Sequence, residues 1–347
     1  MTEWKEYKLG EVLRIKYGKD HKALKDGIYP VYGSGGIMRY AENYLYDKES
    51  ILIPRKGSLN NIFYQDKAFW TVDTMFWSEI DKTKVFPKFL FYQLTLVDFE
   101  NLNVGSAVPS LTIPIINEIS ISLPPLPEQQ RIASILSSLD DKIDLLHREN
   151  ATLEAMAETL FRQWFIEEAK EDWKEVSLED IAYLSAGGDK PKNVSYNRTN
   201  ELNIPIYSNG IENEGLYGYT DIPKITEESV TISARGTIGY VVLRTEPFVP
   251  IVRLITLTPK KNITSKYLYF WAKSQYINGT GTTQQQLTIP DFKLTKVLLP
   301  EKELISEFTN EVDKYYKKIL LNKQQIQTLV QTRDGLLPKL MSGEIKI

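Results

Sequence analysis

In this 347-residue chain, the side chains best suited to meeting a ligand lie in loops of glycine, serine, asparagine and one or two basic residues. Gly33-Ser34-Gly35-Gly36-Ile37-Met38-Arg39 is one such loop, and Arg55-Lys56-Gly57-Ser58-Leu59-Asn60 is another. Ser208-Asn209-Gly210-Ile211 and Ala234-Arg235-Gly236-Thr237 answer them later in the chain. Glycine lets the backbone draw near a ligand, short polar side chains donate and accept, and Arg or Lys can chelate guanine O6 and N7. Single loops of this composition are ordinary turns. Their return at matching positions makes them candidates for binding an anion or a base edge. A third pair is less alike: Asn103-Val104-Gly105-Ser106-Ala107 against Gly279-Thr280-Gly281-Thr282-Thr283-Gln284-Gln285-Gln286. The amides of Gln284 to Gln286 have the geometry for bidentate contacts to adenine, and a solvated polar loop has the same composition.

Groups for catalysis are missing from the sequence. There is no cysteine, and the two histidines, His21 and His147, read as solvated surface imidazoles. No cluster has zinc-ligand spacing. No phosphate loop, no G-x-G-x-x-G between strand and helix and no Asn-Pro-Pro-Tyr-like tetrapeptide appears. Asp140-Asp141-Lys142, with Asp144 nearby, has the look of a nuclease metal site, but it falls in mid-helix and reads as a solvated acidic face. We therefore expect a binding protein with no catalytic residue, no metal site and no cofactor of its own.

These loops sit in a chain that is written twice. Leu111-Thr112-Ile113-Pro114 returns as Leu287-Thr288-Ile289-Pro290, and Trp4-Lys5-Glu6 as Trp173-Lys174-Glu175. Pro30-Val31-Tyr32 is echoed by Pro205-Ile206-Tyr207, and Lys88-Phe89-Leu90-Phe91-Tyr92 by Lys266-Tyr267-Leu268-Tyr269-Phe270. A repeat this long is not a solenoid, whose period would be about 20–50 residues. It is a duplicated domain with its connector.

Composition is that of a soluble globular protein of two or three domains. No apolar run reaches the roughly 18 residues of a membrane span. The first residues lack a signal-peptide layout, and the missing cysteines fit the cytoplasm. The net charge of −3 is unevenly distributed. Residues 1–127 are neutral, 128–172 carry −6, 173–300 carry +2 and 301–347 carry +1. The acidity lies in one connector. The globular halves carry too little positive charge to hold a duplex tightly through its phosphates, so a nucleic-acid ligand would need a partner to supply charge.

After Leu123-Pro124-Pro125-Leu126-Pro127, a helix is expected from Glu128 to about residue 165, roughly 57 Å at 1.5 Å per residue. Its apolar positions step by four and three: Ile132, Leu136, Leu139, Ile143, Leu146, Asn150, Leu153, Ala157, Leu160, Trp164. That is a heptad seam, with Asn150 a polar residue that would fix register. A second seam runs from Phe308 through Val312, Ile319, Asn322 and Arg333 to Leu340, with Pro338 expected to disturb its last turn. Each seam needs a partner, and the simplest arrangement is an antiparallel coiled coil. In the halves, short strands are expected at 28–31, 50–53, 61–64, 74–79 and 119–123, then at 204–207, 229–233, 239–243, 251–257 and 296–299. Helices are expected at 87–96 and 265–276. The predicted fold is α+β and pseudo-two-fold symmetric: similar mixed α/β domains at 1–127 and 169–300, joined by connector helices at 128–168 and 301–347.

The run Leu123-Pro124-Pro125-Leu126-Pro127-Glu128-Gln129-Gln130-Arg131-Ile132, leading into a long helix, resembles the conserved region of type I restriction-modification specificity subunits. Leu336-Leu337-Pro338-Lys339-Leu340-Met341-Ser342-Gly343 does so too, and the layout of half, helix, half, helix is similar to that family throughout. The second connector departs from it, reading Leu299-Pro300-Glu301-Lys302-Glu303 without the glutamines. The resemblance implies that each half is a target-recognition domain reading one part of a split double-stranded DNA sequence, with the helices setting the spacer. It implies docking of two modification subunits, which bind S-adenosylmethionine and methylate adenine. Restriction subunits using ATP and Mg²⁺ would complete the complex.

On that reading, the DNA-binding candidates are Ser34, Arg39, Arg55, Lys56 and Asn60 in the first half, with Asn209, Arg235, Thr282 and Gln284 in the second. Arg131, Asp141, Arg148 and Glu154 on the outer helix faces are the candidate partner-docking surface. The rival from composition alone is a duplicated protein- or glycan-binding scaffold without DNA specificity.

Overall fold

The computed structural model describes residues 4–105, 108–275, 277 and 286–346. The chain forms two units: Met1–Leu146 with Gln324–Ile347, and His147–Lys323. In the first unit a four-stranded antiparallel sheet has the order Leu13–Tyr17, Met75–Ile80, Ser50–Pro54, Phe63–Gln65. A three-stranded sheet places Asp26–Gly33 between Gly36–Ala41, antiparallel to it, and Trp70–Thr71, parallel to it. Lys5–Lys8 pairs with Ser120–Leu123. The second unit repeats this topology strand for strand. Its four-stranded order is Ala182–Ala186, Ile255–Pro259, Ser229–Ile232, Val241–Arg244, and Ile204–Tyr207 lies between Leu216–Thr220 and Val249–Pro250. Lys174–Ser177 pairs with Lys296–Leu299.

Local sequence explains these elements. Every residue of Ser50–Pro54 is buried, the pattern of a strand covered on both faces. Leu13 and Ile15 are buried while Arg14 between them is exposed, the two-residue period of a half-covered strand. Helix Pro87–Leu94 opens on proline, where a missing N–H costs nothing, and buries Phe89, Leu90 and Tyr92. The segment 33–39, expected to be a loop, turns sharply at Gly36, whose φ of 110° favours glycine. It then continues as strand Gly36–Ala41, so Arg39 stands on a strand.

The long helices run Leu126–Arg162, extended by a π-turn Gln163–Glu167, and Lys302–Met341. The first begins at Leu126, two residues before the expected start, because Pro127 falls in the first turn, where no intrahelical donor is required. The second continues through Pro338 to Met341, and the Ser342 N–H donates to the Pro338 carbonyl at 3.0 Å. In the first unit Ile132, Ala133 and Leu136 share one core with Leu340 and Met341. In the second, Ala157, Phe161 and Phe165 share another with Phe308 and Val312.

Within the second unit the segments are antiparallel: Phe161 lies edge-on to Phe308 at 5.7 Å, and the Asn322 amide donates to Asn150 at 2.8 Å and to Glu149 at 3.0 Å. In the first unit Arg333 donates to Asp140 at 2.9 Å, and Asp140 also accepts from the Tyr92 hydroxyl at 2.5 Å. Burial and that carboxylate push the Tyr92 phenol well above its ordinary value. Asp140, expected on a solvated face, is thus tied into the seam. Among the described residues no helix is long and apolar enough to cross a membrane, and no group of three or more His, Cys, Asp or Glu is placed to hold a metal.

The Pro-Glu-Gln-Gln run has a physical reason. Gln129 is 1% exposed; its carbonyl accepts from the Phe86 N–H at 2.8 Å, and its amide donates to the carbonyls of Pro124 at 2.8 Å and Lys84 at 3.3 Å. It caps the start of helix Pro87–Leu94, whose Phe86 has no capping side chain, and fastens it to the long helix. At the repeat-equivalent position the second unit has Ile305, also 1% exposed. There Thr264 caps its own helix by accepting from the Tyr267 N–H at 3.2 Å. We expect Gln129→Ala to destabilise the first unit by about 1–3 kcal/mol, because the Phe86 donor and Pro124 acceptor are left unpaired. The check is a fall in urea midpoint at unchanged slope.

Candidate functional site

In each unit the polar loops expected from sequence meet at the ends of the sheet strands. In the first unit the Asn61 amide donates to the Ser34 carbonyl at 2.7 Å. A side chain at Gly57 would meet the Ser34 hydroxyl at 2.8 Å, and the Gly57 φ is 92°. The third loop joins the second. The Gly57 N–H donates to Pro109 at 3.2 Å, the Leu111 N–H to Arg55 at 2.9 Å, and Lys56 bridges to Ser110. Asn103 organises that third loop, its carbonyl accepting from the N–H groups of Gly105 and Ser110, both at 2.8 Å.

The second unit makes the equivalent joints. Asn209 accepts from the Ala234 N–H at 2.7 Å, the Leu287 N–H donates to the Ala234 carbonyl at 3.0 Å, and Arg235 reaches Gln286. Thr282 and Gln284 lie outside the described residues.

The candidates differ in what their side chains are free to do. Lys56 and Asn60 are exposed and Ser34 is half-buried. Asn60 accepts from the Glu100 N–H at 3.3 Å. Arg55 lies over the Tyr17 ring at 5.4 Å and donates to the Asp73 carbonyl at 3.2 Å. Arg39 donates to Asp26 at 2.7 Å and to the Leu24 carbonyl at 2.9 Å, so its guanidinium holds the protein's own hairpin. Asn209 is equally engaged, with its amide donating to the Val252 carbonyl at 2.6 Å while its own carbonyl serves Ala234. Arg235 is half-buried, Nε and Nη2 donating to Gln286 at 3.1 and 2.9 Å.

On the long helices Arg131, Asp141 and Arg148 are exposed. Glu154, expected on the outer face, instead accepts from the Tyr269 hydroxyl and pairs with Lys273 at 3.5 Å. Burial, helped by Tyr316 and that carboxylate, pushes the Tyr269 phenol far up.

Sequence reasoning missed a fourth and a fifth segment at the same place. Gly18 and Gly187 occupy equivalent positions: the Gly18 N–H donates to the Met75 carbonyl at 3.0 Å, and the Gly187 N–H to Leu254 at 2.9 Å. A Cβ at Gly18 would sit 2.0 Å from the Val72 carbonyl oxygen, and one at Gly187 2.7 Å from that of Ile251. The signal was available, since a glycine follows the same strand in both copies. These glycines admit the turns 72–75 and 251–254 to the site. In the second unit that turn is strained. Val252 and Arg253 have φ of 53° and 60°, left-handed values that cost about 1–3 kcal/mol each and persist only where surroundings impose them. With Gly187, Lys190, Tyr217 and Arg235 they line a cleft of about 430 Å³. Arg244, 3% exposed, was also missed. It stacks on Tyr207 at 3.5 Å and donates to the Glu214 carbonyl at 2.6 Å, fixing the far end of the loop that carries Asn209. Burial raises the Tyr207 phenol, and the Arg244 cation opposes that shift.

The family model for the type I restriction modification DNA specificity domain matches residues 1–155 and again residues 170–331. A protein of Mycoplasma pneumoniae named as a type I specificity subunit is 28% identical over 346 residues, covering 92% of this chain and 94% of its own. The HindI specificity subunit of Haemophilus influenzae is 22% identical, covering 99% of this chain and 100% of its own. The crystal structure of a type I restriction-modification S subunit from M. genitalium matches with a TM-score of 0.64 at 19% identity, over 98% of this chain and 96% of that one. The last comparison establishes the shared fold.

Gly18 and Gly35 have contrasting surroundings and should respond differently to substitution. Gly18→Ala should cost about 1–3 kcal/mol, because the new methyl group meets backbone that cannot yield cheaply. Gly35→Ala, with nothing within 4 Å of its Cβ, should stay within about 0.5 kcal/mol. Thermal melting of the two variants provides the comparison.

Proposed function

The chain belongs to the type I restriction modification DNA specificity family, and on that premise we propose that each unit reads one part of a split, asymmetric duplex target. Such a subunit confers specificity and is not itself an enzyme. The observation that carries the two-part reading is the convergence of matched polar loops in each unit, at Ser34, Lys56 and Asn60 in one and at Arg235 in the other. Exposed short polar and basic groups on glycine-rich turns suit base edges in the major groove.

The long helices set the spacer between the two parts and dock two modification subunits, with Arg131, Asp141 and Arg148 on the docking face. Those partners bring S-adenosylmethionine and the adenine-methylating chemistry. Restriction subunits bring ATP, Mg²⁺ and cleavage. Near-neutral units fit this division, since partners clamping the duplex supply the phosphate contacts that these units lack.

Two measurements on the assembled complex test the proposal. Lys56→Ala should weaken recognition of one half-site only and Arg235→Ala that of the other, read from methylation of duplexes carrying each half-site variant. Equal loss on both half-sites would mean that the residues touch phosphate alone. Deleting one heptad from both helices shortens each by about 10.5 Å, or about three base pairs at 3.4 Å. The tolerated spacer should change while the half-site sequences remain, and unchanged spacing would refute the helices' role as a ruler.

A further inference from the structure

We infer that Arg253 is a specificity-determining residue of the second unit, reading a guanine in its half-site, and that Asn209 is the positioning residue that aims it. The inference rests on the two-part DNA reading above. Arg253 is exposed at the cleft shared with Lys190, Tyr217 and Arg235. Among the described residues its guanidinium has no hydrogen bond or ion pair, whereas that of Arg235 is held by Gln286. A guanidinium fork left open on a site surface matches guanine O6 and N7 in a way an ammonium does not.

The backbone beneath Arg253 is fixed to an unusual degree. The N–H groups of Ile251, Val252, Arg253 and Leu254 donate to the carbonyls of Tyr207, Gly188, Gly187 and Ile251 at 2.9, 2.9, 2.8 and 3.1 Å. The Val252 carbonyl is taken by the Asn209 amide. Two consecutive non-glycine residues are thereby held left-handed, including a β-branched valine that disfavours that conformation. A phosphate contact from a long flexible side chain needs no such fixing. A bidentate base contact does, because the fork must arrive in the plane of the base.

The first unit is built differently at this place. The equivalent turn there is Val72-Asp73-Thr74-Met75, which carries no cation and no left-handed residue. Its Thr74 carbonyl accepts from the N–H groups of Arg55 at 2.8 Å and Lys56 at 3.2 Å, and its Asp73 carbonyl accepts from the Arg55 guanidinium. In the first unit, then, an arginine of a neighbouring loop steadies the turn. In the second, an asparagine steadies it and the turn itself carries the arginine.

The test uses the full chain assembled with its modification subunits, acting on a randomised duplex library in which methylated adenines are mapped. Wild type should yield a split motif containing a guanine in the half-site assigned to the second unit by Arg235→Ala. Arg253→Ala should make that one position degenerate and slow methylation of the wild-type target roughly 5- to 150-fold, leaving the other half-site intact. Arg253→Lys should relax the same position less than Arg253→Ala does, because it keeps the charge and a donor but loses the planar fork. Asn209→Ala should blur the same position with Arg253 still present, a change of motif that loss of stability alone does not produce. An unchanged motif in Arg253→Ala overturns the inference. So does a uniform loss on all sequences with a salt slope lower by about one, the mark of a phosphate contact. A wild-type complex that yields no split motif overturns the two-part reading itself, and this inference with it.

Discussion

Everything in this molecule depends on burying the apolar seams of the two long helices. Neither seam can be left in water, and each unit uses part of both helices to complete its own core. Ile132, Ala133 and Leu136 meet Leu340 and Met341 in one unit, and Phe161 and Phe165 meet Phe308 and Val312 in the other. At about 25 cal/mol per Å² of apolar surface, these four large side chains per core outweigh any single polar contact. The helices are therefore structural walls of the recognition units as well as links in the chain. Loops at the strand ends can be polar, glycine-rich and even strained because the walls behind them are rigid.

The polar groups within the seams have a different use. Asn322 is 1% exposed and bonded to Asn150 and Glu149, while Arg333 and Asp140 pair in the other unit. Buried amides and ions stabilise little, since their desolvation offsets most of their attraction. A shift of register would leave them unpaired, at a cost of about 1–3 kcal/mol each that apolar residues alone would not impose. The same division appears where Gln129 in one unit is replaced by Ile305 in the other. Where a neighbouring helix lacks its own cap the wall supplies an amide; where Thr264 provides the cap, the wall supplies hydrocarbon.

Much of this was legible in the sequence because repetition amplifies weak signals. The strands at 204–207 and 296–299 fall at the expected residues, the helix at 87–96 is recovered as Pro87–Leu94, and both seams are continuous helices. Pairing of loops across copies picked out segments that do meet at the strand ends in both units, although each loop alone resembled an ordinary turn. What sequence missed has physical causes. Strand Gly36–Ala41 was hidden because glycines at a hairpin look like glycines in a loop. The roles of Arg39, Asn209 and Glu154 depend on which carbonyl, N–H or hydroxyl lies opposite, which no periodicity encodes. Gly18 and Gly187 matter through the space they leave, and Arg253 through a backbone conformation imposed from outside its own segment.

The first unit is assembled from two stretches separated by the whole of the second. On the ribosome, residues 147–323 are delivered before residues 324–346 arrive, so Leu340 and Met341 reach the core opened by Ile132 and Leu136 only afterwards. Until then that hydrophobic surface stands uncovered, and the second unit, contiguous in sequence, is free to fold ahead of it. Nascent copies are thus exposed to mispairing with one another for as long as translation takes to cross the intervening segment.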